Sequence, residues 1–472
     1  MDSRKKTKIV ATIGLASEDK EILRKIVDAG MNVARLNFSH GTHEWHGNAI
    51  KKIREVSKEA GRPIGILADL QGPRIRVGNT EPFEIEKGEI ISVSDIKTTD
   101  EKELIIDSDR VASALQVGER IMVEDGVMRL KVVEKLENSV KAEVLNGGTI
   151  KPRKGINVPD TRLHFGAVTE KDRKDLEFVL GQEVDFVAMS FVSNAKEVLE
   201  MRENIKRILG REDSLPQIVV KIERKEAIDN INEIIEATDV VMVARGDLGI
   251  EVEGCRVAVL QKEIIKKSIQ YLKPVIVATQ MLDSMINNPI PTRAEVSDVT
   301  NAVIDHTDAV MLSGESAGGK YPVESVATMA DIIQHTEISP FDDVYGILKV
   351  KKGVAYGTII EGAYELARSS KAKAIVMGSA SGATARLMSH FRPEQQIFVV
   401  THNEKTYNQL SMAWGVRTQL FEIGGVFRED IDWLIDRAKS LGELSSGDKV
   451  VVIMGRMPDD EKIRLLGVKE IE

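Results

Sequence analysis

Eight short apolar runs recur through the first two thirds of this chain, each ending in polar or charged residues and each followed by a helical pattern. They cover residues 9–13, 33–36, 64–68, 184–189, 218–222, 240–244, 275–278 and 309–312. Continuous β-branched runs of this kind suit strands buried on both faces, as the strands of parallel sheets are. The first intervening helix carries its own signals: Ser17 to cap it, Glu18 and Asp19 at its positive end, and Gly30 to stop it. Between them Ile22, Leu23, Ile26 and Val27 form one apolar stripe. Eight strand–helix units predict an α/β chain built on a (β/α)8 barrel.

One interval breaks the pattern. Residues 77–158 alternate apolar and polar side chains, as in Arg129-Leu130-Lys131-Val132-Val133, and carry turn signals such as Asn146-Gly147-Gly148. They read as an inserted β domain. Without them, residues 1–76 and 159–336 make up roughly the 250 residues of a typical barrel. The 472-residue length exceeds what one core supports, so further domains are expected. Residues 337–472 restart as a smaller C-terminal α/β unit, with strands expected at 374–377, 397–400 and 449–454.

A formal net charge of −9 argues against nucleic acid or a membrane surface as partner, so positive charge for anionic substrates must be local. Cys255 is the only cysteine, which excludes an intramolecular disulfide and fits a reducing compartment; its simplest role is packing. No signal-peptide stretch or membrane-length apolar run is evident, so a cytoplasmic location is expected.

Catalytic groups of a barrel belong at the C-terminal ends of its strands. There the sequence places Arg35, Asn37 and Ser39 after the second run, and Asp69, Arg74 and Arg76 after the third. Lys221 and Glu223 follow the fifth, Arg245, Gly246 and Asp247 the sixth, Thr279 and Gln280 the seventh, Ser313 and Glu315 the eighth. Arginines, a lysine and carboxylates converging on one mouth describe a site for a metal and a phosphorylated anion. Lys221 ends a buried strand, where an unpaired ammonium would be costly. Glu223 alone reads as a solvated carboxylate; with Asp247 it can hold Mg²⁺, which needs few protein ligands. Gly246 and Asp247 open a loop whose amides suit a carboxylate, or simply form a turn. His40, His43 and His46 have the spacing of helical metal ligands, but also read as a capped loop-to-helix junction. No P-loop or dinucleotide fingerprint is present, so a nucleotide must be bound otherwise.

Taken together, these motifs resemble the pyruvate kinase family. The resemblance is carried by Asn32-Val33-Ala34-Arg35-Leu36-Asn37-Phe38-Ser39-His40-Gly41, Lys154-Gly155-Ile156-Asn157-Val158-Pro159 and Val243-Ala244-Arg245-Gly246-Asp247-Leu248-Gly249. Ala278-Thr279-Gln280-Met281-Leu282 and the stretch from Pro291-Thr292-Arg293-Ala294-Glu295 to Leu312-Ser313-Gly314-Glu315 extend it, and Phe391-Arg392-Pro393 carries it loosely into the C-terminal unit. It implies phosphoryl transfer from phosphoenolpyruvate to ADP, giving pyruvate and ATP, with Mg²⁺ or Mn²⁺ as cofactor and a homotetrameric assembly. Arg35 and Arg76 match phosphate-binding arginines. Lys221 matches the lysine that neutralises the phosphoryl group and the enolate, and Glu223 and Asp247 match the metal ligands. Gly246 matches the seat of the substrate carboxylate, Thr279 lies near the methylene carbon, and Ser313 and Glu315 belong to the proton path. The inserted domain, residues 77–158, would be a small β-barrel lid that closes over ADP.

Departures from the family pattern carry expectations of their own. The family places K⁺ among groups matching Asn37, Ser39, Asp69 and the Leu70 carbonyl, with a glutamate nearby; here Arg74 replaces that glutamate, so K⁺ is expected to be dispensable. Leu15 stands where a proline is usual. Ser379, Ser381, Gly382 and Thr384 suit one phosphate of an effector, or a helix cap. The acidic tail Asp459-Asp460-Glu461 would repel a second phosphate, so fructose 1,6-bisphosphate should act weakly. Two other readings remain: a different barrel enzyme acting on phosphoenolpyruvate or pyruvate, and a catalytically silent metabolite sensor. The first would not need the lid; the second would have lost Lys221, Glu223 or Asp247.

Overall fold

The computed structural model describes residues 5–96, 102–108, 110–161, 163, 168–342, 357–421, 427–454 and 465–472. Eight parallel strands close a barrel: β1 (Lys8–Thr12), β2 (Val33–Asn37), β3 (Gly65–Asp69), β4 (Phe186–Met189), β5 (Gln217–Ile222), β6 (Val240–Ala244), β7 (Val275–Ala278) and β8 (Ala309–Leu312). Each pairs with its neighbours in sequence and β8 returns to β1, as in Lys8 opposite Ala309. Nearly every strand residue is buried, because one face fills the barrel interior and the other packs against helices. Val10, Val33, Leu67, Phe186, Val219 and Ile276 are among the interior side chains.

Between β3 and β4 the chain leaves the barrel. Six strands order as Ile156–Asn157, Arg120–Val123, Met128–Lys135, Ser139–Asn146, Ile90–Ser94 and Glu103–Ile105, with a two-stranded ribbon of Phe83–Ile85 and Gly148–Ile150. These elements share one core, separate from the barrel's. Past the barrel, a five-stranded sheet orders as Val416–Leu420, Gln396–Thr401, Ala374–Gly378, Lys449–Met454 and Leu465–Glu470, the last antiparallel.

The C-terminal unit also closes the floor of the barrel. Met412 packs into the barrel interior cluster, and a Cβ on Gly65 would come within 2.5 Å of Ser411 Oγ. Lys8 Nζ donates to the Val416 carbonyl at 2.8 Å; burial first, then Arg417, lowers its pKa to about 7. Arg392 donates to Asp308 and to the His306 carbonyl, both at 2.8 Å.

Several expectations are corrected. Asp19, not Ser17, caps the first helix (Lys20–Ala29), accepting from the amides of Glu21 and Ile22. Ser17 is buried and instead takes the Gly14 amide. Cys255 is exposed in a turn rather than packed. Gly246 and Asp247 lie in a helix, Arg245–Glu251, that begins directly at the end of β6, so they do not open a loop. Strands Val416–Leu420 and Leu465–Glu470 were not expected. The acidic tail at Asp459-Asp460-Glu461 lies outside the described residues.

Candidate active site

The strand ends bring a buried charged cluster together at the barrel mouth. Lys221, on β5, lies 2.8 Å from Glu223 Oε1 and 3.5 Å from Asp69 Oδ1, and donates to Ser190 Oγ at 2.9 Å. Arg35, on β2, binds Asp69 Oδ2 through Nε at 2.8 Å and Nη2 at 2.7 Å, and reaches Thr12 Oγ1 at 2.9 Å. Two cations and two carboxylates are therefore held within hydrogen-bonding distances beneath the mouth.

Their ionisation follows from competing effects. Burial would lower the Lys221 pKa, but Asp69 and Glu223 outweigh it and raise it, so the ammonium is retained. Burial would raise the Asp69 pKa, yet Lys221 and Arg35 hold it below the usual carboxylate range. For Glu223 burial wins, helped by Asp247 and opposed by Lys221, and its pKa rises to about 7.

Glu223 Oε2 accepts from the Phe191 amide at 2.6 Å, whereas Oε1 has an ion-pair contact with Lys221 but no well-formed hydrogen bond among the described residues. Oε1 and the half-buried Asp247 offer hard oxygen donors to a divalent cation that takes its other ligands from substrate and water. Among the described residues no set of three or more His, Cys, Asp or Glu could form an all-protein metal cage.

The end of β7 contributes a strained turn, and backbone contacts anchor the ends of both β7 and β8. Thr279 and Gln280 both have positive φ, 70° and 53°, a costly conformation for β-branched threonine. Arg245 holds this turn, donating to the Thr279 carbonyl at 2.7 Å while pairing with Asp298. Thr279 Oγ1 accepts from the Gly246 amide at 2.8 Å, so that amide is already engaged. Both Glu315 oxygens take backbone amides, from Leu282 at 3.1 Å and Ser313 at 2.7 Å, bracing the ends of β7 and β8. Burial raises the Glu315 pKa against these donors.

Other predicted residues sit further out. Asn37 Oδ1 accepts from the Ser39 amide, and the Leu70 carbonyl accepts from Ser190 Oγ at 2.9 Å. Arg76 donates to the Arg153 carbonyl at the neck of the insert. Arg74 lies 3.8 Å from Asp125 of the insert and beside Gly155; among the described residues its ion pair is with that carboxylate, not with the Lys221 cluster. The histidines form the loop-to-helix junction: Thr42 caps helix His43–Ala60, His43 pairs with Asp175, and His46 donates to the His40 carbonyl. In the C-terminal unit, Gly382 has φ +75° and heads helix Ala383–His390 without a side-chain cap. Ser379 is buried, Ser381 is exposed, and Thr384 lies in the helix's first turn. The residues that sequence reasoning missed are Ser190 and Phe191, at the end of β4; a Ser-Phe pair carries no chemical signature until its partners are known.

Comparison with known proteins follows the same lines. The family described as "Pyruvate kinase, barrel domain" matches residues 4–326, and "Pyruvate kinase, alpha/beta domain" matches residues 357–462. A pyruvate kinase of Geobacillus stearothermophilus is 44% identical over 461 residues, covering 96% of this chain and 78% of the relative. One from Staphylococcus aureus (strain USA300) is 40% identical, covering 98% and 81%. A crystal structure of a pyruvate kinase from Cryptosporidium parvum superposes with a TM-score of 0.93 at 34% identity, covering 99% of this chain and 97% of that one.

Proposed function

This chain belongs to the pyruvate kinase family, and on that premise we propose how its barrel mouth carries out the reaction it catalyses, transfer of the phosphoryl group of phosphoenolpyruvate to ADP to give pyruvate and ATP. The observation that carries the assignment of roles is Lys221, kept charged beneath the mouth by Asp69 and Glu223 with Arg35 alongside. Phosphoryl transfer needs positioning and charge neutralisation more than covalent chemistry. Arg35 and Lys221 receive the phosphoryl oxygens, and Lys221 also balances the enolate left when the phosphoryl departs.

The family works with a divalent metal; here we assign Mg²⁺ to Glu223 and Asp247, where it would act as a Lewis acid on phosphoryl and enolate oxygens. Thr279, held rigidly by Arg245, faces the carbon that takes up a proton, and Ser313 and Glu315 lie on the proton's route. Arg76 and the Gly246 region complete substrate binding. Residues 77–158 act as a lid that keeps water from the transfer.

For regulation, Ser379, Ser381, Gly382 and Thr384 receive one effector phosphate. Arg386 supports this, since its Nη1 is buried beside Gly382 without a hydrogen-bond partner among the described residues. A monophosphate activator should lose its effect in Ser381→Glu, and strong activation by fructose 1,6-bisphosphate would contradict the single-phosphate site. The chain's own activity is tested by a coupled assay for pyruvate, with and without ADP and Mg²⁺. Turnover without ADP would point to another phosphoenolpyruvate chemistry, and none at all to a silent sensor.

A further inference from the structure

We infer that Ser190 is a positioning residue for phosphoryl transfer, fixing Lys221 through a hydroxyl whose direction is set by the Leu70 carbonyl. The inference deepens the assignment of Lys221 above and rests on it. Ser190 is 5% exposed at the end of β4 and makes two hydrogen bonds of opposite sense. Its hydroxyl donates to the Leu70 carbonyl at 2.9 Å and accepts from Lys221 Nζ at 2.9 Å. A hydroxyl has a single proton. Once Leu70 takes that proton, the oxygen's lone pairs are left facing the lysine, and a short polarised chain runs from ammonium to hydroxyl to carbonyl.

The neighbouring backbone keeps this arrangement. Phe191 holds a positive φ of 58°, unusual for an aromatic residue, and its amide donates to Glu223 at 2.6 Å. The same two-residue end of β4 therefore grips both partners of the Lys221–Glu223 pair. On the opposite side the segment after β3 is pressed onto Ser190. A Cβ on Gly72 would lie 2.9 Å from Ser190 Cβ, and Gly72 has φ +69°. The segment continues through Arg74 and Arg76 into the insert, so the hydroxyl ties the lid's first connection to the lysine.

The charge balance explains why a neutral partner is useful. Asp69 and Glu223 attract the ammonium strongly, and Glu223 is also assigned to the metal. When those carboxylates turn to metal and arginine, a partner is still needed that holds the ammonium without cancelling its charge. A hydroxyl oxygen does this; a third carboxylate would neutralise the charge meant for the phosphoryl group.

Ser190→Ala removes the hydroxyl without adding volume. It should lower kcat about tenfold or more while leaving KM for phosphoenolpyruvate within about threefold, the pattern of an interaction made in the transition state. The melting temperature should stay near that of the parent enzyme. In a Lys221→Met background the same change should have less than about a twofold further effect, because the two residues act as one unit. A kcat within about threefold of the parent, or an equal loss in both backgrounds, would overturn the proposal. A Lys221→Met variant within about tenfold of the parent would count against the lysine assignment instead, and a parent enzyme without turnover against the functional reading.

Discussion

Lys221 owes its charge to neighbours that substrate and metal must partly replace, so its removal separates chemistry from folding. Lys221→Met keeps the length of the side chain, and although it unpairs buried carboxylates, Arg35 still neutralises Asp69 and Glu223 can take up a proton, so the fold should persist with a lowered melting temperature. Its kcat should fall by several orders of magnitude; steady-state kinetics within about tenfold of the parent, an effect of about 1.4 kcal/mol, would refute its role. Glu223 makes a second prediction. Its raised pKa means the metal-free fold gains from the bound proton below the unfolded value of 4.5 and loses that gain as pH rises through about 7. A divalent ion must displace the same proton, so Mn²⁺ titrations should show affinity weaker by about tenfold per unit below pH 7. Glu223→Gln should flatten that dependence. Lys221, Glu223 and Arg35 were legible in the sequence because each is a charge on or just beyond a strand that is otherwise apolar. Ser190 was not, and neither was the bracing by Glu315, because their roles depend on backbone groups of distant strands.

The elements were legible to differing degrees for a physical reason. Barrel strands are buried on both faces, so their apolar runs are continuous, and 240–244, 275–278 and 309–312 coincide with the observed strands. Val416–Leu420 escaped notice because Arg417, Thr418 and Gln419 interrupt it, and the exposed edge strand Leu465–Glu470 has no buried face to pattern. Cap identity was equally ambiguous: Ser17, Glu18 and Asp19 are three polar residues in a row, and only the turn at Gly14 commits Ser17 elsewhere. The turn that carries Met412 was invisible as a barrel element, since the interior cluster it joins is built from strands about a hundred to four hundred residues earlier in the chain. It sits at the end of the barrel opposite the chemistry, where residues serve stability. Met412→Ala should therefore cost about 2–5 kcal/mol. Thermal melts should show the loss while kcat stays within about threefold of the parent; a large kcat loss at full stability would mean the floor communicates with the mouth.

At the scale of the whole molecule, barrel and insert meet around Arg74, and we propose that this residue sets the requirement for a monovalent cation. The family pattern puts a glutamate at this position beside a K⁺ site matched here by Asn37, Ser39, Asp69 and the Leu70 carbonyl. Arg74 changes a local −1 to +1. Its contact with Asp125 is long, 3.8 Å, and the aspartate is 71% exposed, so the pair is weak and releases the guanidinium easily. Two unit charges about 4 Å apart interact by roughly 4 kcal/mol at an effective dielectric of 20, enough to exclude a weakly held K⁺ once the guanidinium turns toward the mouth. The Leu70 carbonyl already accepts from Ser190, which further reduces what that site offers a cation. The enzyme should thus need Mg²⁺ but not K⁺. With tetramethylammonium as the only bulk monovalent cation, added KCl should leave kcat/KM unchanged, and Arg74→Glu should create K⁺ dependence. If Arg74 serves only to tether the insert to Asp125, Asp125→Ala will mimic its loss and K⁺ will activate the parent enzyme strongly, an outcome that would defeat the charge-replacement argument.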